Sequence, residues 1–394
     1  MKNFIDQQYD NLSKVYKNEL KEFYETLYSE NNRVGIYTDG DGRTLQGLRI
    51  GTYSLSFLLD RINITGGGES YSFGKNIVDA FKNLNKTCYK SCLFIASGSG
   101  ESYIPFEHTK ELSKGIKDNL VKANMCLITS FPELKIGEIV RENEGKILKL
   151  EGRSSRTGVN EDYLKEGILE DEFELEETKL SSIISSGITN NIPPDEFYRY
   201  FKGKIEELRK TKDNILKLKE TPEYQKLLEY LFDPTVSCSI CGESVNKNVA
   251  QMANIRINQV RPITTKRIGI EPNQALIIGA NRNYVIGESS TPNINEKSVL
   301  IAISRSGASA ATIYYTKDAN KIGADTFGLT MNPESELGKN AKNLLTLDSD
   351  DPYPDYCVLL SELLTDVGYR LAEEGIPVDE RIFRAIHVRD KITK

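Results

Sequence analysis

Two histidines and no tryptophan stand in 394 residues. The histidines are His108 and His387, so a site built from several histidine ligands is excluded by counting, and no metal is expected. Positive charge is also scarce: 51 Lys and Arg face 57 Asp and Glu, a formal net charge of −6. A chain of that balance lacks the broad basic face that neutralises nucleic-acid phosphates. No stretch approaches the roughly 18 to 20 apolar residues that a membrane-crossing helix needs. The opening stretch, MKNFIDQQYDNLSKVYKNEL, is polar and has no apolar signal-peptide core. Neither nucleic acid nor membrane is therefore an expected partner, and a cytoplasmic location is expected. Hydrophobic residues at 39% and charged residues at 27% are the proportions of an ordinary folded protein, and the length suits two or three domains.

Six cysteines are present, Cys88, Cys92, Cys126, Cys238, Cys241 and Cys357. Most lie in apolar runs such as KSCLFIAS and ANMCLITS, where buried free thiols are expected. Cys238 and Cys241 form a CxxC, but TVSCSICGES reads as a strand, and no second ligand pair stands at zinc spacing.

What the chain does have is one pattern written twice. Residues 11–30 and 205–232 carry Leu, Tyr and Phe at three- and four-residue intervals, which predicts a leading amphipathic helix for each half. Each is followed by a short buried-type strand and a turn, RVGIYTDGDGRT and TVSCSICGESVN. INITGGGES then matches YVIGESSTP, and SCLFIASGSGES matches SVLIAISRSGAS. ANMCLITSFPE closes the series against ADTFGLTMNPE. Gly40 thus pairs with Gly242, Gly68 with Gly287, Ser97 with Ser304 and Thr129 with Thr330. Continuous β-branched runs alternating with helices predict parallel sheets covered on both faces. Two α/β domains follow, residues 1–203 and 204–394. Residues 133–172 are the least readable stretch.

In such sheets ligands bind at the carboxyl ends of the strands. A loop of glycines and hydroxyl residues that opens a helix offers backbone N–H groups and the helix dipole to an anion. SGSGES fits: Ser97, Ser99 and Ser102 supply hydroxyls, while Gly98 and Gly100 let the backbone close around phosphate. The same letters also suit a plain strand-to-helix turn, but their recurrence in matching contexts favours phosphate. Without a Walker lysine, a phosphate monoester suits the loop better than a nucleoside triphosphate. Ser304, Ser306 and Ser309 are the counterparts in the second half. Glu69, in the Gly-Glu-Ser that ends the second strand, either lines a sugar pocket or turns the chain. His108 falls nearly two turns into the helix after the loop, where a direct role is not expected.

The stretch IAISRSGASAATIYYTKDANKIGADTFGLTMNPESELGKNAKNLLTLDS resembles a sugar isomerase (SIS) domain. That family carries S-x-S-G-x-[ST] after a central strand and an I-T-x-x-P-x-S-x-L element after the next helix. YVIGESSTPNINEKSVLIAIS and LLSELLTDVGYRLAEEGIPVDERIFRAIH are similar to 6-phospho-3-hexuloisomerases in particular. The resemblance covers most of residues 232–394 and, more loosely, 15–200. It implies two tandem flavodoxin-like three-layer αβα sandwiches related by a pseudo-two-fold, each with a five-stranded parallel sheet. It implies a phosphosugar isomerase that needs no cofactor and works through an enediol, with a small sugar phosphate as ligand and a homodimer as one assembly.

The family also has G-x-G-[RK]-[ST] after its first strand. The first half keeps it as Gly40-Asp41-Gly42-Arg43-Thr44, while the second has Gly242-Glu243-Ser244-Val245-Asn246. The second loop, SRSGAS, carries Arg305 where the first has Gly98. The first half therefore reads as the intact binding half. A phenylalanine-glutamate pair opens the family's leucine-rich helix, which matches Phe173-Glu174 and makes Glu174 the base; Glu172 and Glu177 are neighbours that compete for the alignment. The corresponding place in the second half reads Cys357-Val358. His387 falls at the family's terminal histidine, with a role in ring opening that reaches a partner site, here the other half. Two other readings stay open: a non-catalytic sugar-phosphate-binding regulator, and an amino-sugar-phosphate isomerase of the glucosamine-6-phosphate synthase type.

Overall fold

The structure, a computed structural model, describes residues 4–30, 33–57, 62–66, 76–153, 172–272, 283–286 and 294–376. The chain divides into two compact units, the division falling after Leu208 within a long helix, Pro194–Lys219.

The first unit holds β1 (Val34–Asp39), β2 (Ile62–Gly66), β3 (Lys90–Ala96), β4 (Asn124–Thr129) and β5 (Lys146–Lys149). All pairings are parallel, and the order across the sheet is β2-β1-β3-β4-β5. Val34 pairs with Ile62 on one side and Lys90 on the other. β1 is buried at all six positions, as the unbroken apolar runs predict for a strand covered on both faces. On one face Tyr37, Leu93, Ile95, Met125 and Leu127 pack with Phe81, Leu84, Leu112, Ile136 and Val140 from the intervening helices. On the other, Phe94 meets Phe23 edge to face at 5.6 Å. Each such buried side chain contributes about 1.5–3 kcal/mol of burial.

The second unit repeats the plan with β6 (Ser237–Gly242), β7 (Asn283–Val285), β8 (Ser298–Ile303), β9 (Asp325–Thr330) and β10 (Asn343–Thr346). Its order, β7-β6-β8-β9-β10, is the same when the strands are counted from their own first member, and all pairings are again parallel. Each unit is thus an α/β domain with a five-stranded parallel sheet. Arg261, wholly buried, stitches the entry to β6: its guanidinium donates to the carbonyls of Leu231, Asp233 and Val236. All six cysteines are free and buried, and both residues of the CxxC lie in β6.

The leading helices differ from their predicted form. The span 11–30 belongs to two helices, Phe4–Ser13 and Lys17–Leu27, and the span 205–232 to Pro194–Lys219 and Pro222–Phe232. The second break has a local cause. Thr221 caps the new helix by accepting the Tyr224 N–H, and Pro222 takes the first helical position, where its missing N–H costs nothing. The poorly readable 133–172 stretch contains the helix Lys135–Glu142 and edge strand β5. No helix among the described residues is long and apolar enough to cross a membrane.

Candidate active site

In an open parallel sheet the crevice for ligands opens where the strand order reverses. In the first unit that point lies between β1 and β3. The two segments leaving there are Gly40-Asp41-Gly42-Arg43-Thr44 and Ser97–Ser102. The topology thus puts the two phosphate candidates of the sequence at neighbouring strand ends.

The first segment turns at once into the helix Gly42–Gly51. Gly42 has φ +52°. The Thr44 hydroxyl accepts the Asp41 N–H at 3.1 Å and donates to the Asp41 carbonyl at 2.7 Å, so it secures the turn. Arg43 is 7% exposed.

The second segment is a closed loop that opens the helix Tyr103–Lys117. The hydroxyls of Ser97 and Ser102 face each other at 3.0 Å, and Ser99 Oγ accepts the Glu101 N–H. Gly100 has φ +65° and donates to the Ser97 carbonyl at 3.1 Å. Its own carbonyl accepts the Ile136 N–H, which ties the loop to the helix beyond β4. A methyl group on Gly98 would lie 2.9 Å from Nη1 of Arg153 and 3.0 Å from Cδ1 of Phe173. An arginine and an aromatic ring therefore lie directly on the loop.

Phe173 and Glu174 stand in the first turn of the helix Glu172–Thr189. Phe173 is buried and Glu174 half-buried. The contact of Phe173 with Gly98 brings this helix N-terminus to the loop, and Glu174 is the next residue along it. Glu176 and Glu177, one helical turn further, are wholly buried, and burial pushes both carboxyls well above the usual carboxylate range. Asn11 donates to Glu176 at 2.6 Å and Ser181 to Glu177 at 3.2 Å. Glu177 packs against Gly47 on the helix Gly42–Gly51, away from open solvent. Of the competing glutamates, Glu174 is the one with solvent access, since Glu172 is also buried.

One pair escaped the sequence reading. Asp39, the last residue of β1, is wholly buried and meets His108 at 2.9 Å. His108, set apart from the loop by its position along the helix, is joined to the end of β1 by the fold. A buried acid at a strand end, two strands from a histidine, leaves no local sequence signal.

The second unit keeps the loop's backbone but not its chemistry. Gly307, with φ +67°, donates to Ser304 and accepts from Leu337, as Gly100 does from Ser97 and Ile136. Ser244 has φ +55°, close to the φ of +52° at Gly42 in the first unit. Ser309 donates its hydroxyl to the carboxylate of Glu243, so an acidic side chain already sits on this loop. Ser306 Oγ accepts the Ala308 N–H. Arg305 is exposed, 5.9 Å from the ring of Tyr353. Tyr353 is the second residue of the helix Pro352–Glu373, as Phe173 is of the helix Glu172–Thr189. Counted from the two helix starts, Phe173-Glu174 matches Tyr353-Pro354, about one turn before the Cys357-Val358 expected from the sequence. Glu69 and His387 lie outside the described residues.

No family model matches the chain. It is 40% identical over 58 residues to an uncharacterized protein of Archaeoglobus fulgidus, covering 15% of this chain and 32% of that protein. It is 25% identical over 123 residues to an uncharacterized protein of Aeropyrum pernix, covering 24% of this chain and 58% of that one. The matches thus span less than two thirds of either relative's length. Among solved structures it is similar to tagatose-6-phosphate ketose/aldose isomerase of Escherichia coli, with a TM-score of 0.56, 11% identity, and 95% and 91% of the two chains covered. It is similar also to the C-terminal domain of glucosamine-fructose-6-phosphate aminotransferase of Francisella tularensis, with a TM-score of 0.55, 13% identity, and 95% and 96% covered. The tandem α/β fold with two parallel sheets is therefore one that solved phosphosugar enzymes share.

Proposed function

We propose that the chain is a phosphosugar isomerase of the SIS class, interconverting an aldose phosphate and a ketose phosphate through an enediol. The observation that carries this reading is the convergence at the end of β3: a closed Ser/Gly loop opening a helix, with Phe173 against Gly98 and Glu174 beside it. The loop hydroxyls and the helix N-terminus hold the phosphate. The Glu174 carboxylate takes the proton from the carbon next to the carbonyl and returns it to the neighbouring carbon. A second proton passes from the C2 hydroxyl to the C1 oxygen, so C2–H and O2–H bonds are exchanged for C1–H and O1–H bonds, and atoms and electrons balance without an external oxidant or reductant. His387 assists ring opening on the family resemblance. The names of the two similar structures support a hexose or amino-sugar 6-phosphate, and the resemblance to hexuloisomerases adds a hexulose 6-phosphate.

The test is incubation with hexose, hexulose and amino-sugar 6-phosphates in deuterated water. Interconversion with deuterium entering at C1 or C2 is expected. Binding of these compounds with no turnover of any would replace this reading by a non-catalytic sugar-phosphate binder.

A further inference from the structure

We infer that Arg153 supplies a guanidinium to the substrate's phosphate at the Ser97–Ser102 loop, in addition to Arg43 of the neighbouring phosphate candidate, an inference that rests on the phosphosugar reading above. A phosphate monoester carries close to two negative charges at neutral pH, and a loop of N–H groups and hydroxyls supplies dipoles but no full positive charge. Charge-assisted bonds from a guanidinium fork suit a phosphate better than any neutral donor. SGSGES itself contains no Lys or Arg.

The fold brings one from elsewhere. β5 ends at Lys149, Leu150 donates its N–H to the Thr129 carbonyl at 3.0 Å, and Arg153 follows three residues later. Gly152 pins this segment: a methyl group there would lie 2.6 Å from the Phe173 N and 2.7 Å from Glu176 Oε2. From that anchor the Arg153 side chain runs onto the loop, with Cδ and Nη1 respectively 3.3 and 2.9 Å from the methyl position on Gly98. The side chain is half-buried, and the structure gives its guanidinium no hydrogen bond or ion pair with any described residue. A half-buried guanidinium resting on a phosphate-type loop, with no carboxylate among the described residues to answer it, is poised for an anion.

The second unit supports the assignment by exchange. There Leu347 donates to Thr330 as Leu150 does to Thr129. Three residues beyond Leu347 stands Asp350, where the first unit has Arg153. In that unit the guanidinium has moved into the loop itself, as Arg305 at the position of Gly98. The glycine in the first loop and the arginine beyond β5 therefore go together: Gly98 leaves the space that Arg153 fills.

The experiment is calorimetric titration of inorganic phosphate and of fructose 6-phosphate into the wild-type chain, Arg153→Gln and Arg153→Lys, from pH 5.5 to 8. Wild-type binding is expected to tighten as phosphate becomes a dianion. Arg153→Gln is expected to weaken binding at least tenfold at pH 8 and to flatten that pH dependence, while Arg153→Lys keeps the slope and part of the affinity. Equal affinity for wild type and Arg153→Gln, or equal losses in both variants, would overturn the role of Arg153 and leave the isomerase reading standing. Absence of binding by the wild type to either probe would overturn both.

Discussion

Nδ1 of His108 lies 2.9 Å from Oδ2 of Asp39, and the other Asp39 oxygen accepts the Gly40 N–H at 3.1 Å. One buried carboxylate thus ties the helix opened by the phosphate loop to the start of the neighbouring loop. The hydrogen bond to Asp39 raises the His108 pKa above its ordinary 6.5 against an opposing effect of burial, and the charges of Asp39, Glu111 and Glu107 add to it. A raised histidine contributes stability that is complete below its unfolded pKa and is lost as pH rises through the folded value. His108→Ala should therefore lower stability by about 1.5 kcal/mol at pH 5.5. The gap should narrow by pH 9. Thermal melts across that range check this, and a gap that does not vary with pH would contradict it.

Ser244 offers a test of the duplication. A serine with φ +55° and ψ −127° is strained, and its counterpart in the first unit is Gly42 at φ +52°. Ser244→Gly should stabilise the protein by about 1 kcal/mol, part of the relief being offset by the freer unfolded chain. Denaturant unfolding measures it.

Glu177 gives a pH dependence of the same sign from a buried acid, with the variant now the more stable protein at high pH. Its burial raises the carboxyl pKa well above 4.5, with the Ser181 hydrogen bond opposing and Glu174 adding to the rise. A raised carboxyl stays protonated when folded and ionises when unfolded, so stability falls as pH climbs from the unfolded pKa toward the folded one. Glu177→Gln removes this loss. The variant should match the wild type near pH 4 and exceed it at pH 7.5, by roughly 1–3 kcal/mol. A wild type that is the more stable of the two at pH 7.5 would contradict the protonated state.

The two-fold pattern, the parallel sheets and the Ser/Gly loops were legible because each rests on local sequence: unbroken apolar runs, glycines at turns, and one motif written twice. Helix breaks were legible only in part, since Thr221-Pro222 is a start signal inside an otherwise continuous apolar stripe. What could not be read were contacts made by the sheet order. Asp39 meets His108, and Arg153 meets Gly98, because β1, β3 and β5 deliver their ends to one edge. Neither arginine nor aspartate carries any mark of that in its own neighbourhood.

Glu174 and His387 carry the chemical step of the proposal. Glu174→Gln should cut turnover by about 10²–10⁴ while phosphate binding persists. His387→Ala should cut turnover by orders of magnitude with the fold intact. Full turnover in Glu174→Gln would remove it as the base.

In the proposed site the first loop, and not the second, holds the phosphate. The second has its Ser309 hydroxyl engaged by Glu243, an acidic side chain in the place of a ligand anion. The direct measurement is calorimetric titration of fructose 6-phosphate into Ser97→Ala/Ser99→Ala and into Ser304→Ala/Ser306→Ala. Binding is expected to be lost in the first variant and to equal wild type, at one site per chain, in the second. Binding retained in the first variant and lost in the second would contradict it.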